Sequence, residues 1–454
     1  MTVYANVLDM IGDTPLLRIS RIETGLCELF LKLELANPGG SVKDRIGVSM
    51  IDEAEKRGDI KPGDTLVEAT AGNTGIGLAL VAAQRGYKLS LVIPDKMSQE
   101  KIFVLRAIGA EVILTRSDVE KGHPDYYQDL AERIAREQGA YYINQFGNPD
   151  NPLAHEKTTA PEILRQMEGN VDAVVVGVGS SGTIAGLTKY FKEHAPHIEI
   201  VLADPKGSVI ADYVKTGELG TKGGTWLVEG IGEDFIPSIA DLSMVGAAYT
   251  IDDGESFSTA RELLLTEGIL AGSSTGTLLA AALKYCRSQT EPKRVVTFAC
   301  DTGNRYLSKL YNDFWMEDNG FIRREETSDL HDLIGRPHAE HATVTISPRD
   351  VLTTAHNRLR NAGFSQLPVV EEDQLVGVLT EEDIIRFAFG NPDKLTAPVA
   401  EAMQTAFVSV QRDSELDNLV SLLEVKPYAA VMDEDQFLGL ITRADVLNYL
   451  RKQL

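Results

Sequence analysis

Hydrophobic and polar positions alternate in two ways from about residue 60 to residue 310. Short apolar runs rich in Val and Ile, such as "VDAVVVGVG" and "RVVTFACD", are separated by segments such as "TIAGLTKYFKEH", in which apolar positions recur at helical spacing. Fully apolar runs are typical of strands buried on both faces, and their alternation with helices is typical of a parallel sheet covered by helices. The pattern therefore predicts an α/β fold with a mainly parallel sheet.

A stretch rich in charges and turn residues, "FIRREETSDLHDLIGRPHAEHA" from Phe321, ends this pattern, and the chain then repeats itself. "PVVEEDQLVGVLTEEDII" from Pro368 and "AVMDEDQFLGLITRADVL" from Ala430 align without a gap. Each copy predicts two strands joined by an acidic turn, then Thr-x-x-Asp and a helix. We predict a core over residues 1–325, a linker over 326–338, and repeats over 339–394 and 395–454 that pack as one module.

Composition and charge narrow the class of protein. Of 454 residues, 43% are apolar and 24% charged, as expected of a globular protein with more than one domain. The formal charge of −23 argues against nucleic acid or an anionic membrane as partner, since both would repel it. No apolar run approaches membrane-spanning length, and no secretory signal pattern is present. Three widely spaced cysteines without CxxC favour a reducing compartment, so we expect a cytoplasmic protein.

Histidine spacing suggests a metal site at one place only. His338 and His341 stand three residues apart in "RPHAEH", but no cysteine or further histidine accompanies them at ligand spacing. We therefore expect a solvated linker at this stretch and no metal ion.

One lysine stands at an unusual place. Lys43 follows two glycines in "NPGGSVKDR" and precedes a segment with apolar residues at helical spacing. A lysine at a helix start opposes the helix dipole, which favours anions there. Taken alone, Lys43 is more simply an exposed cation in a surface turn.

Three glycine-rich loops change that interpretation: "EATAGNTGIGLAL" from Glu68, "VVVGVGSSGTIAGL" from Val174 and "GILAGSSTGT" from Gly268. Each leads into a helix, whose exposed N–H groups suit a carboxylate or phosphate. The second loop is a phosphate cradle without the Gly-Lys-Ser/Thr ending of a nucleotide P-loop. Tight turns alone could also explain these loops. An anion cradle, one lysine and no metal set together indicate an organic phosphate cofactor carrying an aldehyde, for which pyridoxal phosphate, bound through a lysine Schiff base, is suited.

Five motifs, in this order, carry a family resemblance: "NPGGSVKDR", "EATAGNTGIGLAL", "PDKMSQEKIFVLRAIGAEV", "NQFGNPDNPLAH" and "VEGIGEDFIP". They resemble the β-family (fold type II) of pyridoxal-phosphate enzymes, and within it the cystathionine β-synthases, with the O-acetylserine sulfhydrylases next. The duplicated C-terminal segment resembles a tandem pair of CBS domains. The resemblance implies a tryptophan-synthase-β-like α/β core with mainly parallel sheets, followed by an α/β CBS-domain pair.

The resemblance also implies roles for single positions. Lys43 is expected to be the Schiff-base lysine and to move protons, and Asn73 to hydrogen-bond the ring hydroxyl of the cofactor. Ser274 is expected to face the pyridine nitrogen, where a neutral hydroxyl would steer chemistry to replacement at Cβ. Helix capping is the alternative for Asn73 and Ser274. The phosphate is expected at Gly179, Ser180, Ser181, Gly182 and Thr183. Substrate is expected at Thr70, Ala71, Gly72, Thr74, Gln145, Gly230 and Glu233.

The implied activity joins L-serine and L-homocysteine to give L-cystathionine and water, a step of transsulfuration and cysteine biosynthesis, with hydrogen sulfide release as a further activity. A homodimer is implied as well. One alternative is a cysteine synthase that uses O-acetylserine and sulfide, and another is a protein that is chiefly a sensor of adenosyl ligands.

Two positions depart from the family pattern. Relatives often carry serine where Ala71 stands, and animal enzymes carry an aromatic residue where Glu233 stands. The carboxylate of Glu233 either attracts the ammonium of homocysteine or is simply a solvated acid. No extension of the kind that carries haem in animal relatives precedes "IGDTPLL", so we expect no haem.

The repeats contain two equivalent pairs, Thr380 with Asp383 and Thr442 with Asp445. Such residues commonly cap the following helix. In CBS domains these positions hold ribose hydroxyls, which implies an adenosyl ligand. Because acidic residues such as "EEDQ" and "DEDQ" lie near the loops, nucleotide phosphates would be repelled and a cationic sulfonium tolerated. We therefore expect S-adenosylmethionine in preference to AMP or ATP.

Overall fold

The computed structural model describes residues 3–70, 72–95, 97, 99–119, 121–219, 223–323 and 327–452. The chain divides into two compact units, Met1–Tyr311 and Asn312–Leu454. The division lies near the predicted end of the core, while the bounds of the linker and of the single repeats stay predictions. Among the described residues, no helix has the length and apolar character needed to cross a membrane.

Two sheets form the first unit. Its strands are β1 Leu16–Arg18, β2 Glu28–Leu33, β3 Thr65–Ala69, β4 Lys88–Pro94, β5 Glu111–Thr115, β6 Tyr141–Tyr142, β7 Ala173–Gly177, β8 Glu199–Pro205, β9 Val245–Ile251 and β10 Arg294–Ala299. The larger sheet has the order β1-β2-β10-β7-β8-β9 and the smaller one β5-β4-β3-β6. All pairings are parallel except that of β1 with β2. The predicted mainly parallel α/β fold is therefore confirmed.

Helices flank these strands: α1 Lys43–Arg57, α2 Asn73–Arg85, α3 Gln99–Ile108, α4 Tyr127–Gln138, α5 Asp150–Ala154, α6 Ala160–Gln166, α7 Gly182–His194, α8 Ile210–Thr216, α9 Asp253–Glu267 and α10 Ser273–Arg287. Residues Val174, Val175 and Val176 of β7 are almost fully buried, as a strand covered on both faces requires. The carboxyl end of a parallel strand leads directly into the loop before α2 and into the loop before α7. Ligands of open α/β sheets bind at such ends.

The second unit contains both repeats. Its elements are α11 Asp313–Asp318, α12 Leu352–Ala362, β11 Gln366–Glu371, β12 Gln374–Thr380, α13 Glu381–Ala388, β13 Ser409–Gln411, α14 Leu416–Val425, β14 Tyr428–Asp433, β15 Gln436–Thr442 and α15 Arg443–Lys452. Strands β11 and β12 form one antiparallel pair, and β13, β14 and β15 form a second sheet. The predicted order of strand, acidic turn, strand and helix is confirmed in both copies.

The segment predicted as a linker is partly packed. Leu330, Leu333 and Ile334 lie in the apolar core of the second repeat. His341 is exposed, as expected of a solvated stretch, but the ring of His338 packs 5.2 Å from that of Phe437. The expectation of a solvated linker is therefore wrong for His338, because β15 provides an apolar surface nearby.

Candidate active site

Lys43 is the first residue of α1, as predicted, and the turn before it is fixed by the segment that follows β10. The amide of Val42 donates to the carbonyl oxygen of Cys300 at 2.9 Å, and that of Thr302 to the carbonyl oxygen of Gly40 at 3.0 Å. Burial lowers the pKa of Lys43, although the neighbouring Cys300 and Asp301 oppose that shift. A larger fraction of Lys43 is therefore a neutral amine, the form that can act as base or nucleophile.

The loop after β3 brings four predicted substrate residues together. Thr70 Oγ1 accepts from the amide of Gly72 at 3.0 Å, and Thr74 Oγ1 donates to Gln145 Oε1 at 2.7 Å. Gln145 Nε2 donates to the carbonyl oxygen of Ala69 at 3.0 Å. Gly72 has φ of 115°, a conformation that favours glycine. Ala71 lies outside the described residues.

The predicted phosphate cradle joins β7 to α7. Ser181 is the residue before α7. Its φ of 69° is uncommon for a residue with a side chain. A Cβ atom at Gly179 would overlap the carbonyl oxygen of Gly230, and one at Gly182 would overlap the side-chain amide of Asn151. Both glycines are therefore needed for the loop to stay this close to its neighbours.

The cradle fits a phosphate. Ser181 Oγ is buried and has no hydrogen-bond partner within the described residues. The hydroxyl of Ser180 accepts from Asn151 Nδ2 at 3.0 Å, and that of Thr183 lies 3.3 Å from His155 Nε2. A phosphate at the positive end of α7 would supply the missing acceptor for Ser181 and for the amides of the first turn. These residues can thus hold the phosphate of pyridoxal phosphate.

Ser274 lies in the first turn of α10 and is buried. Its hydroxyl contacts the thiol of Cys300, whose pKa burial raises to about 12. Because Cys300 also neighbours Lys43, the start of α10 and the start of α1 face one region. Ser274 thus has a neutral hydroxyl in the region that Lys43 faces, while its contact with the pyridine nitrogen stays a prediction.

The loop after Val228 closes another side of this region. The amide of Gly232 donates to the carbonyl oxygen of Val178 at 2.7 Å, which holds the loop against the phosphate cradle. Gly230 and Gly232 both have φ of 88°. The carboxylate of Glu233 is close enough to act on two buried groups. Burial lowers the pKa of Lys43 and Glu233 is among the acids that oppose this, whereas burial raises the pKa of Tyr127 and Glu233 adds to that shift. Glu233 is therefore near the site and is not a distant surface acid.

The sequence interpretation missed a set of buried polar residues around Asn73. Asn73 Nδ2 donates to Asp301 Oδ2 at 2.8 Å, and Arg305 Nη1 donates to Asn73 Oδ1 at 2.8 Å. Tyr306 and Lys101 continue the contacts beyond Asp301. Asp301 is the last residue of "RVVTFACD", a predicted strand, so its place at a strand end was a usable signal, whereas no sequence signal indicated the burial of Lys101.

His155 was missed as well. It lies in a π-helical turn, His155–Thr159, of the kind often found at functional sites. Its Nδ1 lies 2.9 Å from Thr159 Oγ1, and burial lowers its pKa well below the usual value. The imidazole is therefore neutral, with Thr183 of the cradle on its other nitrogen.

The two Thr-x-x-Asp pairs of the second unit differ in their surroundings. Asp383 Oδ2 accepts from Thr380 Oγ1 at 2.6 Å, and Asp383 Oδ1 accepts from Gln404 Nε2 at 2.7 Å. Asp445 Oδ2 accepts from Thr442 Oγ1 at 2.6 Å. Asp445 also lines a cavity of about 1620 Å³ in the second unit.

Comparisons with known proteins agree with this architecture. A family model described as "Pyridoxal-phosphate dependent enzyme" matches residues 7–301, and one described as "CBS domain" matches residues 339–390 and 399–452. The cystathionine beta-synthase of Dictyostelium discoideum is 38% identical over 465 residues, which cover 99% of this chain and 93% of the relative. The cysteine synthase of Staphylococcus aureus is 40% identical over 306 residues, covering 67% of this chain and 95% of the relative. The crystal structure of the O-acetylserine dependent cystathionine beta-synthase from Helicobacter pylori is 38% identical, with a TM-score of 0.62 over 68% of this chain and 99% of that one.

The chain belongs to the pyridoxal-phosphate dependent enzymes and carries a C-terminal pair of CBS domains. Within that family it belongs with the cystathionine beta-synthases, since the similarity to them runs through both units. Its cofactor is pyridoxal phosphate, which the residues of the cradle fit. The absence of haem stays a prediction. Among the described residues, no group of three or more His, Cys, Asp and Glu side chains could hold a metal ion.

Proposed function

We propose that the protein joins L-serine and L-homocysteine to give L-cystathionine and water, and that it acts in cysteine biosynthesis. One observation carries this proposal: the similarity to a cystathionine beta-synthase covers 99% of the chain, including both repeats. The similarity to a cysteine synthase covers only 67%. In the reaction, the C–O bond at Cβ of serine breaks, the C–S bond to homocysteine forms, and hydroxide leaves as water.

Lys43 is proposed as the catalytic residue. When bound, pyridoxal phosphate supplies an aldehyde that links to amines and a ring that withdraws electrons from Cα. Lys43 takes the α-proton of serine and returns a proton to the leaving hydroxide. Its lowered pKa supports the first of these tasks because it increases the neutral fraction of the amine. Asn73 is proposed to contact the ring hydroxyl and Ser274 the ring nitrogen.

The substrate carboxylate is proposed to lie at the start of α2. The amides of the first helical turn have no partner of their own within a helix and are at the positive end of its dipole. At this start Thr74 donates to Gln145, Gln145 donates to the carbonyl oxygen of Ala69, and Thr70 accepts from the amide of Gly72. These groups would fix the carboxylate and so set the direction of the α-proton relative to Lys43.

Glu233 is proposed to bind the ammonium of homocysteine. Its carboxylate lies near Lys43 and near the rings of Tyr126 and Tyr127. A carboxylate in a partly enclosed place attracts a cation more strongly than one in bulk water. The second substrate would thereby be oriented with its thiol toward Cβ of the first.

A two-by-two assay tests the reaction. Purified enzyme is supplied with serine or O-acetylserine as first substrate and with homocysteine or sulfide as second, and kcat/KM is compared. We expect the pair of serine and homocysteine to give the highest value. A much higher value for O-acetylserine with sulfide would make the protein a cysteine synthase, the activity of a relative that matches the core alone.

A second candidate reaction uses O-acetylserine as the donor and homocysteine as the acceptor. It is favoured by a specific neighbour, the O-acetylserine dependent cystathionine beta-synthase of Helicobacter pylori, which is 38% identical. Acetate is a better leaving group than hydroxide and needs less help from Lys43. The same assay separates the two donors, because the acceptor is held constant.

For the repeats we propose binding of S-adenosylmethionine at the second copy. The cavity beside Asp445 contains an excess of acidic residues: Glu317, Asp318, Asp329, Asp332, Asp413, Glu415 and Asp445 against Arg323 and Arg451. Such a site would favour a cationic sulfonium over a nucleotide phosphate. Binding alone does not change the rate, since activation also requires different affinities for two states of the enzyme.

A homodimer and a cytoplasmic location complete the proposal. Cys27, Cys286 and Cys300 are free thiols in the structure, as a reducing compartment requires. Light scattering of the purified enzyme tests the dimer.

A further inference from the structure

The side-chain amide of Asn73 is held at both ends. Arg305 Nη1 donates to its oxygen at 2.8 Å, and its nitrogen donates to Asp301 Oδ2 at 2.8 Å. A guanidinium can only donate hydrogen bonds and a carboxylate can only accept them. A flipped amide would place N–H groups against Arg305 and a carbonyl oxygen against Asp301. The two neighbours therefore allow one orientation of Asn73.

This orientation leaves one hydrogen-bond donor available. The nitrogen of Asn73 carries two N–H groups, and Asp301 accepts from one of them. The oxygen substituent on the ring of pyridoxal phosphate is an acceptor. We propose that Asp301 and Arg305 are positioning residues that aim the second N–H of Asn73 at this ring oxygen. The inference rests on the proposed role of Asn73.

Asp301 is itself oriented by a further hydrogen bond, which comes from Tyr306. Tyr306 donates its hydroxyl to Asp301 Oδ2 at 2.6 Å, and Lys101 Nζ donates to the hydroxyl oxygen of Tyr306 at 3.0 Å. Because an ammonium can only donate, the phenolic proton of Tyr306 must point to Asp301. Burial, followed by the charge of Asp301, raises the pKa of Tyr306 well above its usual value, so this proton stays in place.

A buried ion pair completes the chain of contacts. Lys101 Nζ lies 2.6 Å from Glu229 Oε2, and Lys309 Nζ lies 2.6 Å from Glu229 Oε1. Although burial opposes it, the two ammonium groups hold the pKa of Glu229 below its usual value. Lys101 belongs to α3 beside the smaller sheet, and Tyr306 follows β10 of the larger one. The network thus joins elements of both sheets at the back of Asn73.

The other oxygen of Asp301 lies beside α10. A Cβ atom at Gly272, the residue before this helix, would overlap Asp301 Oδ1. Within the described residues, Oδ1 is buried without a hydrogen-bond partner. The positive end of the helix dipole favours an anion there. Asp301 is therefore a buried carboxylate between the helix start that carries Asn73 and the one that carries Ser274.

Cofactor binding by the apoenzyme tests the inference without any substrate. Asp301→Ala removes the acceptor, and Asp301→Asn restores an acceptor oxygen without the charge. Tyr306→Phe removes one donor to Asp301. Tyr285→Phe is the matched control, because Tyr285 is also a buried tyrosine and its hydroxyl donates to a carboxylate, Glu199 Oε2, also at 2.6 Å. The readouts are the dissociation constant of pyridoxal phosphate, the absorbance maximum of the bound cofactor and the melting temperature of the apoenzyme.

We expect Asp301→Ala to weaken cofactor binding about tenfold or more and to shift the absorbance maximum, since a hydrogen bond to a charged group is lost. Asp301→Asn should recover part of both, Tyr306→Phe should show a smaller loss, and Tyr285→Phe none. An unchanged dissociation constant and spectrum in Asp301→Ala would overturn the inference. If that variant does not fold, Asp301→Asn and Tyr306→Phe decide: an effect no larger than that of Tyr285→Phe overturns it too.

The outcome is separable from that of the proposed reaction. A wild-type enzyme that binds pyridoxal phosphate but does not join serine and homocysteine would overturn the reaction. The cofactor measurements would still support or overturn the role of Asp301 on their own.

Discussion

Three helices at the candidate active site begin differently from the first Thr-x-x-Asp helix of the second unit. In the described part of the core, α2, α7 and α10 follow Gly72, Ser181 and Gly272, and none of these residues caps its helix through a side chain. In the second unit, α13 begins at Thr380 with a complete capping box, in which Thr380 and Asp383 bond to each other's backbone amides. The starts of these three core helices are thus open to a ligand, apart from the amide of Gly75, which donates to Thr70 Oγ1 at 3.4 Å, whereas the start of α13 is satisfied by the chain itself.

The difference separates two interpretations that the sequence left open. Serine, threonine and asparagine at a helix start can be a cap or part of a site. Asn73 bonds to Asp301 and Arg305 instead of its own helix, and Ser274 contacts Cys300. Thr380 bonds to its own helix. What a polar residue contacts beyond its helix therefore tells more about its role than its position at the start does.

The largest expected effect concerns Lys43, the first residue of α1. Lys43→Ala should lower turnover by several orders of magnitude, because the base and the amine that holds the cofactor are both lost. Lys56→Ala is the control in the same helix, since that side chain is 64% exposed and pairs with Glu53 near the other end of the helix. Borohydride reduction and peptide mapping should find the cofactor on Lys43. An adduct on any other lysine would end the assignment.

Ser274→Asp should have the next largest effect, and it distinguishes most directly between a helix cap and a functional residue. Ser274 is buried, so an aspartate there carries a desolvation cost that the helix dipole only partly offsets, and a purely structural residue would lose stability and activity together. An aspartate facing the ring would instead favour a protonated pyridine nitrogen, and β-replacement should fall by roughly a hundredfold or more. Ser274→Ala should remain active but impaired. Full activity in Ser274→Asp, measured as kcat/KM, would place the ring nitrogen elsewhere.

The two repeats supply the third test, on ligand affinity. Calorimetry with S-adenosylmethionine should show binding that Asp445→Ala weakens about tenfold, because a half-buried acceptor for a ribose hydroxyl is removed. Asp383→Ala should change affinity little, since both of its oxygens are already bonded to Thr380 and Gln404. It should instead lower the melting temperature of the full-length protein through loss of the capping box.

Two results would break this distinction between the repeats. Equal loss of affinity in both variants would mean that the first copy also binds the ligand. No heat and no thermal shift at millimolar S-adenosylmethionine would leave the module a structural part of the enzyme.

The sequence predicted strands that contain runs rich in apolar residues, such as β7 and β10. It did not predict β2, because "ELFLKL" contains a lysine. The structure buries Lys32 completely and pairs its ammonium with Glu162 Oε2 at 2.7 Å. The partner lies 130 residues away along the chain, so local pattern could not show that the charge is neutralised.

The sequence predicted those site residues whose signals come from neighbouring residues in the chain. Lys43, Asn73, Ser274 and the phosphate cradle all stand in glycine-rich motifs at helix starts. Lys101 contacts Glu229 and Tyr306, which are 128 and 205 residues away. Its sequence neighbourhood is that of an ordinary helix with an exposed lysine. Only the fold brings such residues behind Asn73.

The smallest expected effect concerns a carboxylate of the core, Glu233, which like Asp445 is proposed to face a cationic ligand. Glu233→Gln should raise KM for homocysteine about three- to tenfold and leave KM for serine nearly unchanged, because one partly enclosed charge interaction with the ammonium is lost. Asp234→Asn is the matched control, since it neutralises the adjacent acid. The effect of Glu233→Gln should also shrink as salt rises, because ions screen an attraction of this kind. Equal, small changes in both KM values, or the same change in Asp234→Asn, would make Glu233 a solvated acid. Recognition of a cationic ligand by a carboxylate would then be proposed for the second unit alone.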